Sequence, residues 1–227
     1  MGVLCRLITI VAFVALASSS ANGEDEAAAR NGAGVKLLQE GKIEAAIVEF
    51  QKAASLNPKY LPARLNLAYA YQKGHRTEEA ISEYQRALEL EPGNFFAHNN
   101  LGVLYDQKGR YDEAIAAFQR ALESEPGNVM ALKNLETAQK NKATIAQRDG
   151  EIQRLEREAL QKPKDPEAAY YVARAYAAIG KKDQANEWLE KALKLGYRDF
   201  DYLKADPAFK EMRDDRDFQL LLIKNGR

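Results

Sequence analysis

GKIEAAIVEFQKAASLNP (residues 41–58), HRTEEAISEYQRALELEP (75–92) and GRYDEAIAAFQRALESEP (109–126) are three versions of one pattern set 34 residues apart. Ala46, Ala80 and Ala114 coincide, as do Ile47, Ile81 and Ile115, the ring residues Phe50, Tyr84 and Phe118, then Ala53, Ala87 and Ala121, and finally Pro58, Pro92 and Pro126. Working outward, Leu67 and Leu101, Ala68 and Gly102, and Tyr71 and Tyr105 return at the same step. Agreement at this many positions over three periods predicts an all-α repeat array.

The spacing has a physical reading. Within Thr77–Leu90, Ala80, Tyr84 and Ala87 fall at i, i+4 and i+7, one face of a helix. Leu67, Ala68 and Tyr71 share a face of the helix before it, whereas Arg64 one turn earlier is a poor core residue. Small residues let two helices approach and the rings fill what is left. Pro-Gly-Asn at 92–94 and 126–128, and Asn57-Pro58, break the chain between units. One such pair cannot bury its apolar face alone, so neighbours must stack.

These residues resemble the tetratricopeptide-repeat (TPR) family, in regular units at 27–60, 61–94 and 95–128. The resemblance implies a right-handed α-solenoid. Arg30, Arg64 and His98 stand where the family often has Trp, and Leu37 replaces the first-helix tyrosine. A further unit at 166–199 keeps Ala173, Tyr176, Gly180, Ala185 and Ala192 but ends in Tyr197. Between them, 129–165 reads as a stretched, degenerate unit with Asn134 and Leu135 in phase and Glu136 where close packing wants Gly or Ala. Residues 200–227, anchored by Phe200, Leu203, Phe209, Met212, Phe218, Leu221 and Leu222, are similar to the helical cap that closes many bacterial TPR proteins. Asp206-Pro207 and Asp215 are helix-start signals there.

The first residues read as an address. Arg6, the apolar run Leu7–Ala17 and small residues up to Gly23 form a signal peptide over 1–23, with cleavage expected after Gly23. The apolar run is about 11 residues against the ~20 of a membrane span, and an uncleaved N-terminal anchor is the alternative. The expected location is therefore exported, periplasmic or secreted. The 33 basic and 33 acidic residues of the whole chain balance. That implies neither a nucleic-acid stripe nor a membrane-binding polybasic patch. Cys5 is the only cysteine and lies inside the signal, so the mature chain is held by packing without disulfides.

No motif for catalysis emerges. His75 and His98 have no second histidine at ligand spacing, and Gly32-Ala33-Gly34 follows no strand and lacks a phosphate loop's third glycine. Its plainer reading is close helix packing. Glu78-Glu79 and Asp112-Glu113 begin helices, where they complement the dipole. The expectation is a non-enzyme without cofactor or metal.

What remains is the inner face, built from the first helix of each pair. Its second, fifth, sixth, ninth and twelfth to thirteenth positions are free to meet a ligand, Gln72 and Asp106 among them. They include Leu65, Asn66 and Tyr69 in one unit, and Phe96, Asn99, Asn100 and Val103 in the next. Lys133 and Asn134 follow, then Tyr170 and Arg174 in the last unit. Asn66, Asn100 and Asn134 recur at the repeat step as a ladder. Each amide offers the donor and acceptor that a peptide bond needs. The units are similar to those of protein O-GlcNAc transferases, where the resemblance implies peptide-backbone binding by such a ladder. The other reading is that each Asn bonds a neighbouring helix and fixes the repeat geometry. TPR domains that grip acidic chaperone tails imply a Lys/Asn/Arg clamp. The matching positions here are Asn31, Val35, Asn66, Phe96 and Asn100, and only Asn66 fits.

The leading expectation is a scaffold that binds an extended segment of a partner protein in this groove, within an envelope assembly or secretion complex. The alternatives are a substrate-presenting accessory of a glycosyltransferase and a self-associating structural solenoid.

Overall fold

The computed structural model describes residues 23–225, so all but the last residue of the expected signal peptide lies outside the described residues. Helices α1 (23–39), α2 (Ile43–Leu56), α3 (Leu61–Lys73), α4 (Thr77–Leu90), α5 (Phe95–Gln107) and α6 (Tyr111–Ser124) are followed by the long α7 (Val129–Gln161). Then come α8 (Pro166–Ala178), α9 (Lys182–Leu195), α10 (Phe200–Ala205), a 3-10 turn (Pro207–Met212) and α11 (Arg216–Asn225). No strand occurs among the described residues. The fold divides into two compact units after Lys142.

In the first unit three helix pairs share one core. Ala46, Phe50, Ala80, Tyr84, Ala114 and Phe118 of the second helices are buried against Leu67, Ala68, Tyr71, Leu101 and Tyr105 of the first helices. Each buried ring contributes about 1.5–3 kcal/mol of hydrophobic stabilisation. The closeness of the pairs is visible at Gly34 and Gly102. A Cβ there would lie 2.5 Å from the rings of Phe50 and Phe118. The middle pair uses Ala68 with Tyr84 at the same positions, and Tyr84 donates its hydroxyl to Gln72 Oε1 at 3.2 Å.

The position where the family often carries Trp works through charge. Arg30 bonds Glu49 at 3.2 Å and Arg64 bonds Glu83 at 2.9 Å, each 19 residues on in its own second helix. His98, which has Ala117 at that distance, reaches back to the Pro92 carbonyl at 2.8 Å.

Two kinds of turn punctuate the array. Inside a pair, one residue adopts a left-handed backbone: Gly41 (φ 75), His75 (φ 58), Gly109 (φ 71) and Gly180 (φ 74). The next amide then bonds back to the helix end, as Lys42 does to Leu37 and Arg76 to Tyr71, both at 2.9 Å. Between pairs, an Asx side chain caps α5, α7 and α8, whereas α3 starts at Tyr60 without a side-chain cap. Asn94 accepts from Ala97 N at 2.9 Å, Asn128 from Ala131 N at 3.1 Å, and Asp165 from Ala168 N at 3.3 Å.

The stretch 129–165 contains one helix, α7, with no turn before residue 162. Ala143 stands 34 residues after Gly109, at the left-handed position, and is helical. The positions that would close a pair are carboxylates. Glu136 replaces the Gly102-type residue, and three inserted residues later Glu151 and Glu158 replace the Ala114 and Ala121 types. Three acids stand where a closed pair packs small residues, and all three are exposed, Glu151 and Glu158 paired with Arg154. Its first part still packs like a first helix, with Ala131 and Ala138 buried in the first unit. Its second part packs like a second helix within the second unit. Glu156 accepts the Tyr176 hydroxyl at 2.7 Å, 20 residues apart, as Gln51 meets Tyr71 and Gln85 meets Tyr105 at the same separation. That bond, with burial second, pushes the Tyr176 hydroxyl up to about 12.

The second unit joins α8 and α9 to the cap. Leu203, Phe209, Met212 and Phe218 are buried against Ala173, Leu189 and Leu193, and the Phe209 and Phe218 rings stack at 5.4 Å. Asp206 and Asp215 cap the 3-10 turn and α11.

Candidate partner-binding face

The candidate face lies on the first helices of the first unit: α1, α3, α5 and the opening turns of α7. Phe96, Asn100 and Val103 fall at i, i+4 and i+7 of α5, so they share one side of it. Phe96 is 62% exposed, held edge-on to the buried Phe95 at 5.5 Å. On α3, Tyr69 is exposed with Lys73 Nζ 5.2 Å over its ring, while Leu65 and Asn66 are half-buried. On α7, Met130 and Lys133 are exposed and Asn134 is half-buried.

The amides are not equivalent. Asn66 Nδ2 donates to Asn31 Oδ1 at 2.9 Å, and Asn134 Nδ2 donates to Asn99 Oδ1 at 3.2 Å, both across 35 residues. Asn141 donates to Asp106 at 3.1 Å over the same separation. These bonds tie α1 to α3 and α5 to α7. Asn100 differs. Its counterpart 35 residues earlier is Leu65, which can neither donate nor accept, and no hydrogen bond to the Asn100 amide is present among the described residues. One unpaired, half-buried amide therefore sits between two that each give an N–H to a neighbouring helix.

Two expected site residues are placed inside instead of on the face. Asn99 is 6% exposed because its oxygen meets Asn134 between helices. Tyr170 is 2% exposed, stacked on Tyr197 at 4.4 Å with its hydroxyl donated to Asp206 Oδ2 at 2.6 Å. Burial, and then that carboxylate, push its hydroxyl pKa far above the usual tyrosine range. Arg174 is exposed and gives its Nε to the same Asp206 oxygen at 2.9 Å. In the second unit these two residues latch α8 to the cap.

Asn31, Asp106 and Asn141 are the partners that the 34-residue period did not reveal. The signal was a spacing of 35, one residue beyond the repeat, between side chains that complement each other. Among the described residues no group of three His, Cys, Asp or Glu could hold a metal, and no helix is long and apolar enough to cross a membrane.

Comparison with known proteins gives one consistent answer. Tetratricopeptide-repeat family models match residues 65–129, 37–83 and 166–195, together more than half of the chain. No curated protein matches significantly in sequence. Among solved structures, the first TPR domain of Spaghetti (RPAP3), bound to the HSP90 peptide SRMEEVD, is 25% identical with a TM-score of 0.52. The match covers 53% of this chain and 95% of that one. The second TPR domain of human RPAP3, in complex with the HSP70 peptide SGPTIEEVD, is 26% identical with a TM-score of 0.50 over 52% of this chain and 98% of that one. The Arabidopsis OM64 TPR domain, 22% identical with a TM-score of 0.51, covers 52% of this chain and 98% of its own, and is alike in fold. Repeat period, helix pairing and family matches agree, and the chain belongs to the tetratricopeptide-repeat family of protein-interaction scaffolds.

Proposed function

We propose that this protein is a non-catalytic scaffold that holds an extended segment of a partner protein on the first-helix face of its first unit. The observation that carries the reading is Asn100, a half-buried amide with no partner of its own, flanked on the same side of α5 by exposed Phe96 and by Val103. Its amide atoms remain open to solvent, and a bound peptide bond would meet both its donor and its acceptor. The peptide-bound TPR neighbours support a peptide as the occupant. The occupant differs from theirs in chemistry, because Val35, Phe96 and Asn100 stand where a carboxylate clamp would need amide and cationic side chains. The N-terminal segment supports export, and with it a partner in an envelope assembly or secretion complex.

The test is in-cell crosslinking of the full-length chain followed by purification, with single variants beside it. Asn100→Ala is expected to lose the partner at unchanged thermal stability. Asn66→Ala is expected to lower stability by about 1 kcal/mol by breaking its bond to Asn31. Capture that survives both Asn100→Ala and Phe96→Ala would move the interface elsewhere on the molecule.

A further inference from the structure

We infer that the outer side of the cap is an interface between two copies of this chain, which meet antiparallel through helix α11. The inference concerns the second unit alone and is independent of the peptide-binding reading above. A capping element keeps a repeat array soluble by turning a polar side outward. Helix α11 does not do so. It buries Phe218 and Leu222 in the cap, yet Leu220 and Ile223 are 52% and 58% exposed. Beside them runs a groove of about 610 Å³, lined by Leu220, Leu221 and Ile223 of α11 and by Glu187 and Glu190 of α9. Asn186 Nδ2 ties the two helices together by donating to Asp215 Oδ1 at 3.3 Å.

The charges on α11 identify what covers this side. Asp217, Leu220, Leu221 and Lys224 fall at i, i+3, i+4 and i+7, so they share one face over two turns. All four line the groove. From either end that face reads as a charge, two leucines and a charge of opposite sign. A second α11 laid antiparallel against it sets Asp217 of each copy opposite Lys224 of the other, with the leucines between. The arrangement is two-fold symmetric, so each contact occurs twice, as in the commonest homodimers. A parallel pair would set Asp217 against Asp217 and Lys224 against Lys224.

The charges that this pairing needs are available. Glu190 is bonded by Lys194 at 2.9 Å, whereas Asp217, Glu187 and Lys224 have no ion pair among the described residues. Glu187 adjoins Asn186, the residue bonded to the α11 cap Asp215, so it adds a second carboxylate near Asp217 for the incoming Lys224. The patch is one helix of 10 residues and its groove. It belongs with the small, weak interfaces, so the dimer should form as concentration rises and loosen as salt screens its charges.

Sedimentation equilibrium of the full-length chain up to about 0.5 mM tests this. The native chain is expected to approach the mass of a dimer. Asp217→Lys and Lys224→Asp, both at exposed positions, should each weaken association about tenfold by setting like charges face to face. Mixed in equal amounts, the two variants should pair with each other about as tightly as the native chain, because every facing pair is then opposite in sign. Circular dichroism checks that each variant keeps its helicity. A native chain that stays monomeric overturns the proposal and leaves this side of the cap to a different protein. Association that ignores both substitutions places the contact elsewhere on the chain and overturns it equally. Loss in both variants without recovery in the mixture overturns the antiparallel pairing.

Discussion

Helices α5 and α6 fold back on one another over residues 95–128, whereas the next stretch, 129–165, opens with the same asparagine cap and the same leucine yet runs on as one helix. Leu101 and Leu135 are in phase, and Ala97 and Ala131 are both fully buried. The paths part at three places. Gly102 becomes Glu136, left-handed Gly109 becomes helical Ala143, and the ring position of Phe118 becomes the half-buried Leu155. The repeat is therefore written in two layers. Stacking on the preceding pair needs only small and apolar residues on one side of the first helix. Folding back needs a turn residue, a small contact residue and a ring together, and 129–165 has lost all three.

The largest effect that would break this comparison is at the ring position. Phe118 is 1% exposed inside a closed pair, so Phe118→Ala is expected to cost about 3–5 kcal/mol in urea denaturation followed by circular dichroism. The equivalent Leu155→Ala, on a helix without that pair, should cost about 1 kcal/mol or less. Equal losses would mean that α7 depends on Leu155 as a closed pair depends on its ring.

The small-residue position comes next. Gly102→Ala places a methyl 2.5 Å from the Phe118 ring, which is 1% exposed and must shift to admit it. Overpacking of this kind costs about 1–3 kcal/mol. At the matched position Glu136→Ala should change stability by no more than about 0.5 kcal/mol, because Glu136 is exposed on an unpaired stretch. A large destabilisation by Glu136→Ala would show that its carboxylate holds α7 in place.

Most of the fold was legible because the repeat is a packing code read at fixed phase: Ala80, Tyr84 and Ala87 had to share a face, and they do. Glu136 was legible as a misfit, but the single helix it belongs to was not read. That outcome depends on Ala143 and on Glu151 and Glu158 acting together, and the three inserted residues throw the last two out of phase. The face was legible by position and only partly by role. Asn66, Asn100 and Asn134 look identical in sequence, yet their states depend on what lies 35 residues earlier: Asn31, Leu65 and Asn99. The repeat phase puts Tyr170 on the inner face, yet it is 2% exposed. Asp206 of the cap and Tyr197, at the end of the unit before it, cover Tyr170, and no repeat phase encodes a cap.

The smallest effect is the most discriminating, because it changes sign between the two regions. His75 holds φ 58 with its side chain exposed, a conformation that strains any residue with a Cβ. His75→Gly removes that strain, and the gain is partly offset by the entropy glycine loses on folding. A net stabilisation of about 0.5–1 kcal/mol is expected. Ala143 occupies the same phase but sits exposed inside a helix. There glycine only weakens the helix, so Ala143→Gly should cost about 1 kcal/mol. Both substitutions leave buried contacts untouched, so each midpoint shift reports the backbone alone. Opposite signs would establish that one repeat position is a turn in 61–94 and helix interior in 129–165. If Ala143→Gly stabilised the protein as His75→Gly does, α7 would be bent at that position in solution and the unit would be closing. That outcome would press Glu136, Glu151 and Glu158 into the small-residue positions of a closed pair, at the cost of desolvating three carboxylates, two of which Arg154 now holds at the surface.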